Sequence, residues 1–416
     1  MVLNQKIVKL KDCIKHKVCQ ILSHFLINFE TIMTDTIRFC LPKGMSHKTF
    51  LAEYWQKKPL LIKGGLPELI GMFEPEDILG LALEEGVSAR LISQSDKNIN
   101  QWSLKSAPLD EDDIHQAPKL WTILVQNLEQ WSPELGELWS HFDFIPKWQQ
   151  DDIMVSVAPK GGSVGAHYDE YDVFLAQGYG ARRWQLGKMC TADTPFVPNQ
   201  PIRLLDDMGE IIFDEVLQAG DVLYVPPRLS HHGIAMNDCL TFSFGFRRPN
   251  LVQIMDELAD VATNHANLFH VLTLPQADQP DAYELSQDSI QALKDQLITL
   301  LNSKEGDALL TDAIGELVSQ RQYELLAFED ELDADTLKTR LEDGECLVLN
   351  PACRFVHVRD VWYINGEKVD LSDDERAYLK HLIHGDAITA EDANLQNLPW
   401  LSQWLNDNWL IFLILC

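Results

Sequence analysis

His167 and Asp169 stand two positions apart, directly after the glycine-rich run that opens the stretch GGSVGAHYDEYDVFLAQGYGARRW. On extended backbone, residues i and i+2 project from one face, so both side chains can approach a common point. Two more histidines, His231 and His232, follow the Pro226-Pro227 step in PPRLSHHG. An imidazole, a carboxylate and a second imidazole from a distant strand form the facial ligand set of non-haem iron(II) oxygenases. A structural zinc site would instead be closed by four protein ligands. Adjacent strand residues face opposite ways, so only one of His231 and His232 can complete the set, and spacing alone leaves the choice open. The same alternation applies to Arg182 and Arg183, one of which can grip a dicarboxylate cosubstrate bidentately. Ser156, Thr241 and Ser243 offer hydroxyls on nearby strands.

The elements that must position these groups are strands. Between residues 152 and 248, the segments Ile153–Ala158, Val173–Ala176, Ile211–Phe213, Asp221–Val225 and Thr241–Phe246 are punctuated by glycine, proline and aspartate. Many short strands with such turns predict a sandwich or barrel, jelly roll included. Upstream, SHKTFLAEYWQKKP reads as a helix, Leu60–Ile62 as a short strand and Pro75–Leu83 as a second helix. Residues 87–104 read as two strands, and Thr122–Trp131 and Pro133–Phe142 as helices.

After Pro249 the helical period returns, first over Leu251–Ala262. Residues 271–282 read as a linker. Ser286 then caps a helix whose Ile290, Leu293, Leu297 and Leu300 share a face, with further helices over 306–328. That apolar face needs a cover, either a second copy of the chain or the barrel. The last segment alternates into strands at Cys346–Leu349, Phe355–Val358 and Val361–Ile364, the last turned by Asn365-Gly366. A helix capped by Ser372 follows, and the closing run Trp409–Cys416, too short to span a bilayer, is expected to complete a small sheet.

A length of 416 residues allows two or three domains, and 46% hydrophobic with 23% charged residues is ordinary for a globular protein. The net charge of −29 disfavours nucleic acid or anionic lipid as a direct partner and suits a basic one. Eight cysteines without a CxxC pair give no zinc-ribbon or redox motif. With no secretory signal, a disulfide framework is not expected and the cytoplasm is the expected location. Residues 1–32 read as an upstream extension or a mis-assigned start, and residues 1–35 as an extension outside the domains that follow.

The runs GGSVGAHYDEYDVFLAQGYGARRW, VLYVPPRLSHHG and FSFGFRRPN, with FLAEYWQKKPLLIKGG and WYINGEKVD, resemble the bacterial ribosomal oxygenases of the JmjC/cupin-4 class. The resemblance is closest to the arginine hydroxylases of a large-subunit ribosomal protein. It runs from about residue 36 to near the end. It implies a mainly β fold with helices: a JmjC/cupin oxygenase domain over 36–250, whose double-stranded β-helix core lies at about 152–248. A helical dimerisation region over 251–330 and a winged-helix-like α+β domain over 331–416 complete it.

The resemblance places iron(II) on His167, Asp169 and His231, and 2-oxoglutarate on Arg182 with Ser156 assisting. It implies hydroxylation of an arginine β-carbon in a basic ribosomal protein of the large subunit, by a homodimer with neither nucleic acid nor membrane as direct partner. The alternatives are the same chemistry on a histidine of another ribosomal protein, or a metal-binding cupin without oxygenase activity. One departure stands out. The family usually has Gly-Phe before the distal histidine and an acidic residue after it, where this chain has Arg228-Leu229 and His232.

Overall fold

The computed structural model describes residues 38–98, 100–275, 283–321, 331–350, 352–383 and 385–414. The expected extension, the second half of the 271–282 linker and the end of the 306–328 helical stretch lie outside them. Two compact units emerge, Ile37–Arg248 and the chain from Pro249 onward.

The first unit is built on two antiparallel sheets. The larger holds eight strands in the order β1-β9-β6-β11-β5-β4-β2-β3. These are β1 (Leu60–Ile62), β2 (Ala89–Gln94), β3 (Trp102–Ser106), β4 (Leu120–Val125), β5 (Gln150–Ala158), β6 (Asp172–Tyr179), β9 (Val222–Val225) and β11 (Cys239–Phe246). The smaller sheet has the order β10-β7-β8, from β7 (Ala181–Met189), β8 (Phe213–Gln218) and β10 (Leu229–Ala235).

Strand alternation sorts the side chains of the large sheet between two cores. Phe174, Ala176, Val155, Val157, Phe242 and Phe244 pack outward against Phe50 and Phe142 from the N-terminal helical segments. Val173, Leu175, Leu223 and Val225 pack inward against Trp184, Leu186, Leu217 and Leu229 of the small sheet. The inner space between the sheets is where the candidate site lies.

Two expectations are corrected. Thr122–Trp131 does not begin as a helix: Thr122, Ile123, Leu124 and Val125 form the end of β4, all buried, and only Leu128–Gln130 makes a helical turn, of the 3-10 kind. The run Thr-Ile-Leu-Val is rich in β-branched residues that fit a pleated, two-sided core better than a helix. The strand expected at Ile211–Phe213 starts at Phe213 instead, leaving Ile211 and Ile212 exposed before it.

The second unit opens with helices at Leu251–Ala262, Gln287–Leu301 and Lys304–Ser319. Ile290 and Leu297 of the expected apolar face remain exposed in the single chain. A winged-helix domain follows. Helices at Ala334–Glu342, Asp373–Ile383 and Leu398–Asn406 bury Leu337, Leu379, Leu401 and Leu405 against Leu347 and Trp362. The closing run does complete a small sheet: β12 (Glu345–Leu349) pairs with β16 (Leu410–Ile414), beside a three-stranded wing of β13 (Phe355–Val358), β14 (Val361–Ile364) and β15 (Glu367–Val369). Among the described residues no helix is long and apolar enough to cross a membrane.

Candidate active site

His167, Asp169 and His231 come together, each offering a ligand atom within 4.8 Å of the others. The backbone makes this meeting. His167 N–H donates to the His231 carbonyl at 3.0 Å, and His231 N–H donates to the His167 carbonyl at 2.8 Å. The two rings stand 4.2 Å apart between centroids, and Nε2 of His231 lies 3.4 Å from an Asp169 oxygen.

Each imidazole is oriented from behind. Nδ1 of His167 lies 2.9 Å from the Gly165 carbonyl, and Nδ1 of His231 lies 2.9 Å from the Leu229 carbonyl. A carbonyl can only accept, so both Nδ1 atoms carry the proton and both Nε2 lone pairs are free to ligate. Gly165 itself sits at φ +82°, and a Cβ there would fall 2.2 Å from Leu204, so the turn before the ligands requires glycine.

Burial and the neighbouring His231 push His167 down to about 4, so it is a neutral ligand at neutral pH. Burial raises the Asp169 carboxyl, but the His231 imidazole beside it, with His167 and Arg247 nearby, outweighs that and leaves it below the ordinary carboxylate range. Two imidazoles and one carboxylate suit iron(II) and similar divalent metals.

Register places one residue of each pair on the inner face. In β10 and β7, His231 pairs with Leu186, while His232 pairs with Gln185 and so lies on the opposite face. Arg182 likewise pairs with Leu217 and Ala235 on the inner face, while Arg183 is directed outward. There the Arg183 Nε donates to Asp214 at 2.6 Å. Arg182 is only 2% exposed, yet among the described residues the one hydrogen bond of its guanidinium is from Nη2 to the Cys239 sulfur at 3.6 Å. Its Nε and the Trp184 Nε1 are buried without partners among the described residues. A buried guanidinium with no ion pair among the described residues fits an anionic ligand.

Across the large sheet, Arg90, Leu124, Ser156, Thr241 and Gln177 form one row. Ser156 donates weakly to the Thr241 carbonyl at 3.4 Å, and Thr241 donates to Gln177 at 2.9 Å. Ser156 is therefore buried on the inner face. Ser243 lies on that face as well, opposite Met154 and Leu175.

The structure adds residues that spacing did not single out. Tyr171 packs on the inner core, and its phenol is raised well above the ordinary value by the Asp169 charge, then by burial and by Asp152. Asp152 precedes Ile153, which enters the outer core, so alternation turns Asp152 toward the Ser156 side. The Arg247 guanidinium lies 5.2 Å from the Tyr171 ring centroid and pairs with Asp151.

The Arg228-Leu229 departure also finds its place. Arg228 adopts φ +64°, a conformation that glycine takes more cheaply. Its N–H donates to the Asp169 carbonyl at 2.7 Å and its Nε to Glu170 at 2.7 Å, so it ties the two ligand segments together.

The chain is similar to known proteins over most of its length. The JmjC domain family matches residues 137–254, and the ROXA-like winged helix family matches residues 277–410. The chain is 46% identical over 401 residues to a probable ribosomal oxygenase of Haemophilus influenzae, covering 91% of this chain and 98% of that one. It is 34% identical over 348 residues to the ribosomal protein uL16 3-hydroxylase of Escherichia coli, covering 82% and 90% respectively. Among solved structures, the Escherichia coli ribosomal oxygenase YcfD matches with a TM-score of 0.76 at 30% identity, over 89% of this chain and 99% of that one. YcfD in complex with cobalt and 2-oxoglutarate matches with a TM-score of 0.75 over the same shares of the two chains, again at 30% identity.

Proposed function

The chain belongs to the ribosomal oxygenase family, and from that premise we propose that it hydroxylates an arginine β-carbon in a basic protein of the large ribosomal subunit. It is a 2-oxoglutarate-dependent dioxygenase of ribosomal protein. In this reading His167, Asp169 and His231 hold iron(II), and Arg182, with Ser156 beside it, holds the far carboxylate of 2-oxoglutarate. When bound, iron(II) and 2-oxoglutarate supply the oxidising chemistry that puts one atom of dioxygen into a substrate C–H bond, with succinate and carbon dioxide as coproducts.

The chain's own residues do the rest. The Gly165 and Leu229 carbonyls keep both Nε2 atoms aimed at the metal. Leu186, Leu217, Val173 and Leu175 wall the inner space and exclude water. Asp152 and the Tyr171 ring are assigned to the incoming side chain.

The observation that carries the arginine reading is this acidic, aromatic corner beside Asp169. A carboxylate and a ring face suit a guanidinium, and Arg247 already lies over the Tyr171 ring. A neutral histidine would gain less from the same corner. The net charge of −29 supports a basic partner, through faster encounter rather than tighter contact. The test is mass spectrometry of basic ribosomal peptides after incubation with iron(II) and 2-oxoglutarate. One added oxygen on arginine supports the reading, and one on histidine favours the alternative.

A homodimer in the cytoplasm completes the proposal. Leu251, Val252 and Met255 are exposed on the helix after Pro249, and Ile290 and Leu297 on the next. Exposed apolar side chains of this kind mark interfaces. Sedimentation of Leu297→Asp should then show a monomer.

A further inference from the structure

We infer that Thr122 is a further contact for the cosubstrate, its hydroxyl donating a hydrogen bond to the carboxylate that Arg182 holds. The inference rests on the reading of Arg182 given above.

Thr122 is 0% exposed, and its Oγ1 has no hydrogen-bond partner among the described residues. Buried hydroxyls are nearly always satisfied, because an unmet one carries its whole desolvation cost. The neighbouring hydroxyls follow that rule: Thr241 donates to Gln177, and Ser156 to the Thr241 carbonyl. Thr122 does not.

Its direction follows from register. Ile123 pairs with Val157 and Leu124 with Ser156. One step further along this antiparallel ladder, Thr122 falls beside Ala158, on the same inner face as Leu124 and Ser156. The approach is close there, since a Cβ on Gly162 would fall 2.3 Å from the Trp121 carbonyl and 2.9 Å from the Ala158 methyl. Ala158 in turn pairs with Cys239, whose sulfur accepts the one hydrogen bond of the Arg182 guanidinium among the described residues. Ala158, Ala235 and Cys239 form one small packed cluster.

Thr122 and Arg182 thus stand on either side of three short side chains. Neither alanine nor cysteine offers the threonine hydroxyl a strong acceptor. A hydroxyl and a guanidinium Nε, both buried and both unpartnered, are satisfied together by one carboxylate with its two oxygens. Charge-assisted bonds of this kind are stronger than neutral ones, and most so in a dry pocket.

Thr122→Val keeps the shape and removes only the hydroxyl. The test measures 2-oxoglutarate binding by calorimetry on cobalt-loaded protein without peptide substrate. Thr122→Val, Thr122→Ser and Arg182→Ala are compared with the unaltered chain, and 2-oxobutyrate, which lacks the far carboxylate, serves as a second ligand. The expected result is a loss of about tenfold or more in 2-oxoglutarate affinity for Thr122→Val, near-normal affinity for Thr122→Ser and no change for 2-oxobutyrate. The thermal midpoint of Thr122→Val should hold or rise, because an unmet hydroxyl has gone.

Unchanged 2-oxoglutarate affinity in Thr122→Val, with affinity lost in Arg182→Ala, would overturn the inference alone. Equal losses for both keto acids in Thr122→Val would also overturn it, since that is the mark of a structural role. Unchanged affinity in Arg182→Ala would overturn the reading of Arg182 on which it rests.

Discussion

His167 and His231 exchange both backbone hydrogen bonds, at 3.0 and 2.8 Å, although they come from distant parts of the chain. The pair is an isolated antiparallel bridge between the turn before β6 and the strand β10. The same link that sets the distance between the two imidazoles therefore fixes which histidine of the His231-His232 pair faces Asp169.

Removing the ligand should abolish metal binding, and removing its neighbour should not. His231→Ala is expected to lose cobalt(II) affinity by about a hundredfold or more, and His232→Ala by less than about threefold, in a spectroscopic titration. Loss of metal only in His232→Ala would reverse the assignment.

Arg182 and Arg183 should separate as cleanly. Arg182→Ala is expected to weaken 2-oxoglutarate binding by about a hundredfold, the loss of a buried charge-assisted pair. Arg183→Ala only breaks a half-exposed ion pair with Asp214, so its binding isotherm should match the unaltered one.

Asp152→Asn should act on the peptide and spare the cosubstrate. A fall of about tenfold or more in kcat/KM for an arginine peptide is expected, with 2-oxoglutarate affinity unchanged. Equal loss in both would place Asp152 elsewhere in the site's construction.

Asp172 gives a pH dependence that lies outside the metal cluster. It is buried and accepts a hydrogen bond from Tyr224 at 2.5 Å, yet burial still raises its carboxyl to about 6. The folded state therefore holds this proton more tightly than the unfolded chain does. The stabilisation is full below about 4 and is lost as pH rises through about 6, a difference of about 3 kcal/mol. Asp172→Asn cannot ionise, so its melting temperature should gain on that of the unaltered chain between pH 4 and 7. A gap that stays constant over that range would contradict the assignment.

Much of the site was legible because strands alternate. His167 and Asp169 share a face by spacing alone, and their glycine-rich approach marks the turn that the Gly165 conformation requires. The choice within Arg182-Arg183 and His231-His232 was not legible, because alternation says that one residue faces inward without saying which. Only the register of β7 against β10 supplies that. Asp152 and Tyr171 were hidden for a related reason: an aspartate in DDIMVS and a tyrosine in DEYDVF are ordinary strand and turn residues until two sheets bring them together. The fold reading failed where apolar pattern and β-propensity pointed different ways. Thr122–Val125 carries a helix-compatible apolar pattern but is drawn into a strand between β2 and β5.

The most direct test is coupled turnover of the purified chain with iron(II), 2-oxoglutarate, dioxygen and an arginine-bearing basic peptide from a large-subunit ribosomal protein. Succinate and singly oxygenated peptide should appear in equal amounts, with the oxygen on arginine, and both should vanish in His167→Ala. Succinate without oxygenated peptide from any ribosomal arginine sequence, or oxygen found on histidine, would contradict the account.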